Sequence, residues 1–92
     1  MAKSRATSAR LDRIARMGCV ICRNTGHGPS PAVIHHVRDH GGKRDDSKVL
    51  PLCPMHHNLG GYRIAVHAGR EAWEAIHGDQ TDLLAQVERE LA

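Results

Sequence analysis

Apolar residues recur at helical spacing over residues 9–17, where Leu11, Ile14, Ala15 and Met17 make one stripe. Ser8 stands at the capping place and Gly18 closes the segment, so the pattern predicts a first helix there. Residues 1–7, small, polar and basic, are expected to be disordered. Cys19 to Cys22 reads as a tight turn, and the Gly, Pro and Ser of residues 24–31 make a loop. The β-branched stretch 32–37 (AVIHHV) predicts a strand, residues 39–47 (DHGGKRDDS) a polar loop, and residues 48–50 a second short strand that Pro51 ends or places at an edge. A short helix over 53–59 follows, with Pro54 in its first turn and Gly60-Gly61 as its stop. Residues 62–66 fit strand or helix equally. Helices are expected over 70–77, closed by Gly78, and over 82–91, capped by Thr81 with Leu83, Leu84, Val87 and Leu91 on one face. The pattern predicts an α+β fold in one domain spanning 1–92, with strand, loop, strand and helix over 32–60 at its centre and C-terminal helices over 69–91.

Composition changes this picture in one respect. A chain of 92 residues with one Trp, one Tyr and no Phe must build an aliphatic core. At this size folding buries only about 60–65% of the surface of the unfolded chain. Three Cys cannot all pair within the chain, and eight His beside them point to metal. No apolar run approaches the roughly 20 residues of a membrane span, and the N-terminus lacks the apolar centre of a secretory signal. The expectation is a soluble, cytoplasmic protein. Charge divides unevenly: residues 1–70 carry a net +8 and residues 71–92 a net −5, which suits a polyanionic partner at one face.

Cys19-x2-Cys22 and Cys53-x2-His56 stand 30 residues apart. A two-residue gap lets both side chains of a turn reach one ion, and two such turns complete a tetrahedron. These four residues are the expected ligands of a structural Zn²⁺, which would stabilise the fold where the thin core does not. Seven histidines remain. His56 and His57 start a helix and point about 100° apart, so one can face zinc while the other faces a second site. That second site lies against the strand carrying His35-His36. Successive strand residues point to opposite faces, so both can serve one site only if the strand ends or twists there.

The run from Ile34 to His57, with its His-His dipeptide, Gly pair, Pro-Leu-Cys-x2-His-His segment and preceding Cys-x2-Cys, resembles the ββα-metal finger of HNH (His-Me finger) endonucleases. Residues 66–78 (VHAGREAWEAIHG) are similar to the ending of small phage nucleases related to the Ref, or recombination enhancement function, family. The resemblance covers residues 19–78. It implies a bacterial host cytoplasm, a phage or prophage origin, and DNA cleavage to a 5′-phosphate and a 3′-hydroxyl. It makes His36 the general base that activates water, and His35 and His57 ligands of a catalytic Mg²⁺ or Mn²⁺. Relatives carry a further ligand one turn after His57, where this chain has Gly61; a turn at Gly60-Gly61 that brings in His67 would replace it. Counting back from His57 puts Lys48 at the family's central Asn, and Asp46 is the candidate to brace the loop instead.

Phosphate contacts require only basic side chains, and Arg38, Lys43 and Arg44 lie nearest the expected site. His40 could also reach a phosphate, whereas His27 and His77 are expected in loop or capping roles and Trp73 in the core. Nothing resembles a base-reading helix, so weak sequence preference is expected. A recombinase or packaging partner is a further expectation from the resemblance; nothing in the residues speaks to oligomeric state. The alternative is a zinc-stabilised nucleic-acid-binding module that cleaves nothing, for which convergence of His35, His36 and His57 would have no use. A third reading, an interaction adaptor, would place binding on the acidic segment 71–92.

Overall fold

A computed structural model describes residues 4–38 and 42–92. Helix α1 (Arg5–Arg16) begins earlier than its apolar stripe suggests. Ser4, not Ser8, is the cap: its Oγ accepts from the Thr7 N–H at 3.1 Å, satisfying one of the donors that a helix start leaves open. Residues 5–7 are therefore helical rather than disordered. Gly18, at φ 82°, ends the helix as expected. The Cys19–Cys22 turn opens a short helix, α2 (Val20–Asn24), with the Cys19 sulfur as its cap.

Strands β1 (Val33–His36) and β2 (Val49–Leu52) form an antiparallel pair in the register Val33↔Leu52, Ile34↔Pro51, His35↔Leu50 and His36↔Val49. Pro51 sits inside β2 rather than ending it. An antiparallel ladder asks only alternate residues for a bond, and the outer edge of a two-stranded sheet asks for none. β2 is buried along its whole length, under α1, α2 and α4, whereas β1 alternates between exposed Val33 and buried His35. The expected short helix after Cys53 is a single wide turn, Met55–Leu59, in which the Gly60 N–H reaches back to the Met55 carbonyl. The ambiguous stretch after it is a set of turns leading into a 3₁₀ turn, Val66–Ala68.

Helix α3 (Arg70–His77) has the expected bounds. Helix α4 (Gln80–Leu91) starts two residues before 82, because Asp79 rather than Thr81 caps it, accepting from the Thr81 N–H at 2.8 Å. The core gathers Ile14, Val20, Ile21, Leu50, Leu52, Trp73, Leu83 and Val87 with Cys19 and Cys53. Trp73 is fully buried, as expected, and its indole N–H donates to the Ile64 carbonyl at 3.1 Å. No described helix is long and apolar enough to cross a membrane. The architecture is mixed α+β, a two-stranded hairpin wrapped by helices.

Candidate functional site

Two clusters of ligating side chains flank the turn Met55–Leu59. In the first, Cys19, Cys22, Cys53 and His56 bring one ligand atom each to within 4.8 Å of one another. The His56 Nδ1 is 3.5 Å from the Cys19 sulfur, 3.6 Å from that of Cys22 and 3.2 Å from that of Cys53, and the Cys22 and Cys53 sulfurs are 3.8 Å apart. Zinc at ordinary bond lengths spans tetrahedral edges of about 3.6–3.8 Å. The donor set and its spacing thus fit a closed structural zinc site. Two local features build it: α2 starts on Cys19 and returns Cys22 one turn later, and the wide turn after Pro54 does the same for Cys53 and His56. Burial pushes the Cys19 thiol up to about 11. Burial also raises Cys53, but hydrogen bonds from the His56 backbone and from Cys22 and Cys19 outweigh it and leave this thiol below its usual value. Burial, then His77 and His27, keeps His56 neutral by lowering its pKa.

In the second cluster, His35, His57 and His67 offer one nitrogen each within the same 4.8 Å limit. The Nε2 atoms of His57 and His67 are 3.0 Å apart, and the His35 ring meets both others edge to face at 5.3 and 5.1 Å. His35 is 6% exposed, and burial lowers its pKa to about 4, so it is neutral at pH 7 with a lone pair to give. Burial and the neighbouring His67 lower His57 as well. His67 arrives because the chain reverses at Gly60-Gly61. Gly61 is left-handed at φ 81°, and a Cβ on Gly60 would collide with the Met55 carbonyl and Ile64.

His36 lies outside the three-nitrogen cluster. β1 ends at this residue, so His36 still opens into the same cavity, of about 460 Å³, as His35, His57 and His67. Its Nε2 is 2.8 Å from the Asp46 carboxylate, so an imidazole N–H donates to Oδ1. Asp46 therefore braces the histidine on β1, while the Ser47 N–H and hydroxyl donate to the Asp45 carboxylate at 2.9 and 2.6 Å. Arg38 and Arg44 line the cavity, and Lys43 is exposed outside its lining. His40 lies outside the described residues. His27 contacts Thr25 at 2.8 Å, and His77 donates from the end of α3 to the Arg63 carbonyl at 3.0 Å.

Two lining residues escaped the sequence reading. Arg70, at the start of α3, donates to the Arg38 carbonyl at 2.8 Å and pairs with Glu74. Gln80, at the start of α4, is 2% exposed and meets His35. A polar residue at a helix start is normally exposed, so no local signal marks Gln80. Arg70 had a weak one, its place three residues after His67.

A family model described as recombination enhancement, RecA-dependent nuclease matches residues 4–92. The chain belongs to this family. The match takes in α1 and α4 as well as the 60-residue stretch on which the motifs lie, so the helices that pack against the hairpin are part of the family's unit. Membership in this family implies nuclease activity, the hydrolysis of phosphodiester bonds. No curated protein matches the chain in sequence.

Proposed function

We propose that this member of the RecA-dependent nuclease family is a His-Me finger DNA endonuclease or nickase of low sequence specificity, with β1, β2 and the turn Met55–Leu59 as its ββα-metal unit. One observation carries the reading: His35, His57 and His67 converge beside the His36–Asp46 pair in a cavity bordered by Arg38, Arg44 and Arg70. Such a constellation has no role in a module that only binds.

His35, His57 and His67 would hold a divalent ion. Three imidazoles suit a first-row ion such as Mn²⁺ better than Mg²⁺, which prefers oxygen. Bound there, such an ion would supply positive charge to the scissile phosphate and the departing oxygen. The chain's own residues do the rest. Asp46 accepts the His36 N–H and leaves the other ring nitrogen with its lone pair, which takes a proton from water. The resulting hydroxide attacks phosphorus, the 3′-oxygen leaves with its bonding electrons and is protonated, and the products are a 5′-phosphate and a 3′-hydroxyl. Arg38 and Arg44 draw the phosphate backbone toward the cavity without reading bases. The four-residue Cys/His cluster holds zinc and keeps His57 in place through the shared turn. The family description supports a RecA filament as the partner that presents DNA.

The test is supercoiled-plasmid cleavage with Mn²⁺ or Mg²⁺, with and without RecA filaments, comparing the natural chain with His36→Ala at equal zinc content. Loss of a general base is expected to cost about 10²–10⁴-fold in rate. Equal cleavage by both proteins would remove His36 from the reaction.

A further inference from the structure

Gln80 is an unusual residue to find sealed at a helix start. It is the first residue of α4, 2% exposed, and its side chain runs into the cavity rather than out to solvent. Its backbone N–H is held by the Glu74 carboxylate at 2.7 Å, and the other oxygen of that carboxylate pairs with Arg70 at 3.1 Å. The residue is therefore anchored from α3 before its side chain reaches anything. Its Oε1 stands 2.9 Å from the Nε2 of His35, itself buried.

An amide oxygen only accepts, so this contact requires the proton to be on Nε2. A neutral imidazole carries one N–H. With that proton on Nε2, the lone pair of His35 is on Nδ1, and Nδ1 is the atom left to bind a cation. We propose that Gln80 is a positioning residue of the three-histidine centre: it selects the Nε2–H tautomer of His35 and fixes the ring so that Nδ1 is the ligating atom. The proposal rests on the reading of His35, His57 and His67 as a metal centre. Partners of this kind orient a ligand ring and raise its basicity, and removing one typically costs 10–100-fold in metal affinity. His57 and His67 contact each other and have no amide partner among the described hydrogen bonds, so the tautomer of His35 is the one that a distant helix decides.

The experiment has two readouts that need no catalysis. Long-range ¹H–¹⁵N correlation on the zinc-loaded chain, without a second metal, reports which His35 nitrogen carries the proton. The Nε2–H form is expected in the natural protein, with the preference lost in Gln80→Met, which keeps the length of the side chain and removes the acceptor. Calorimetric titration with Mn²⁺ then measures affinity, expected to fall 10–100-fold in Gln80→Met and to recover in Gln80→Glu, which restores an acceptor. Unchanged zinc content and far-UV circular dichroism establish that the variants fold. Should Gln80→Met fail to fold, the natural protein's tautomer decides alone. The Nδ1–H form there would overturn the proposal, since Nε2 would then be the ligating atom and Gln80 its neighbour at the ion. Equal Mn²⁺ affinity in the natural protein and Gln80→Met would overturn it while leaving the metal centre intact. No Mn²⁺ binding by the natural protein would overturn the metal centre and this proposal with it.

Discussion

Asp46 does for His36 what position alone could not. A strand-end imidazole is free to rotate, and the 2.8 Å contact to Oδ1 holds one ring orientation. Asp46→Asn is expected to lower the cleavage rate about 10²-fold, the cost of misplacing a catalytic group. Zinc content and thermal stability should stay near those of the natural chain, and a rate within twofold would dismiss the bracing role. The ligand chemistry makes a second prediction at this scale. With three imidazole donors, Mn²⁺ should support cleavage at lower concentration than Mg²⁺, measured by titrating each ion into the plasmid assay. Away from the site, Arg23 clasps Glu90 through two bonds of 3.0 Å, joining α2 to the end of α4. The Arg23 hydrogen bond lowers the Glu90 pKa below its usual 4.5. A carboxylate lowered in the folded state contributes stability above its unfolded pKa, and that contribution disappears as pH falls through the folded value. Both side chains are partly exposed, so the pair contributes about 0.2–1 kcal/mol. Glu90→Gln should cost that much at pH 6 and progressively less below pH 4.5, as measured by urea unfolding.

At the scale of elements, the site depends on a turn. The wide turn Met55–Leu59 presents His56 to one cluster and His57 to the other, and Gly60-Gly61 returns the chain so that His67 meets His57. Gly60→Ala places a methyl group against the Met55 carbonyl and Ile64. Overpacking of this kind costs about 1–3 kcal/mol, and relief requires the segment before His67 to move. The expected outcome is weaker Mn²⁺ binding with zinc content unchanged, both read by titration. Elements whose signals are local were legible in the sequence. Helix α3 runs between its expected bounds because Gly69 and Gly78 flank an amphipathic run. The starts of α1 and α4 were misplaced because several residues there are able to cap, and only the folded chain shows that Ser4 and Asp79 do so. The Cys19–Cys22 turn proved a short helix because a sulfur serves as its cap.

For the whole molecule, the Cys19–Cys22–Cys53–His56 cluster joins α2 to the turn after β2, and the core beneath it contains one aromatic residue, Trp73. Metal binding and folding are coupled in domains this small. Treatment with a strong chelator, or Cys53→Ser, should abolish the cooperative thermal transition and most far-UV helicity, and retention of both would show that the core folds without metal. The sequence by itself determined the chemistry available: Cys-x2-Cys and Cys-x2-His at their spacing, the paired histidines, the glycine break and the basic residues around them. Short-range spacing and residue type are written directly in the chain, so the grouping of Cys19, Cys22, Cys53 and His56 and the nearness of His35 to His57 were accessible there. Only the tertiary structure decided which partners those groups have. It set His36 against Asp46 rather than in the cluster, brought Arg70 into the cavity from α3, and sealed Gln80 against His35 across 45 residues of sequence. Those contacts join separate elements, and no periodicity along a chain records where two elements will pack.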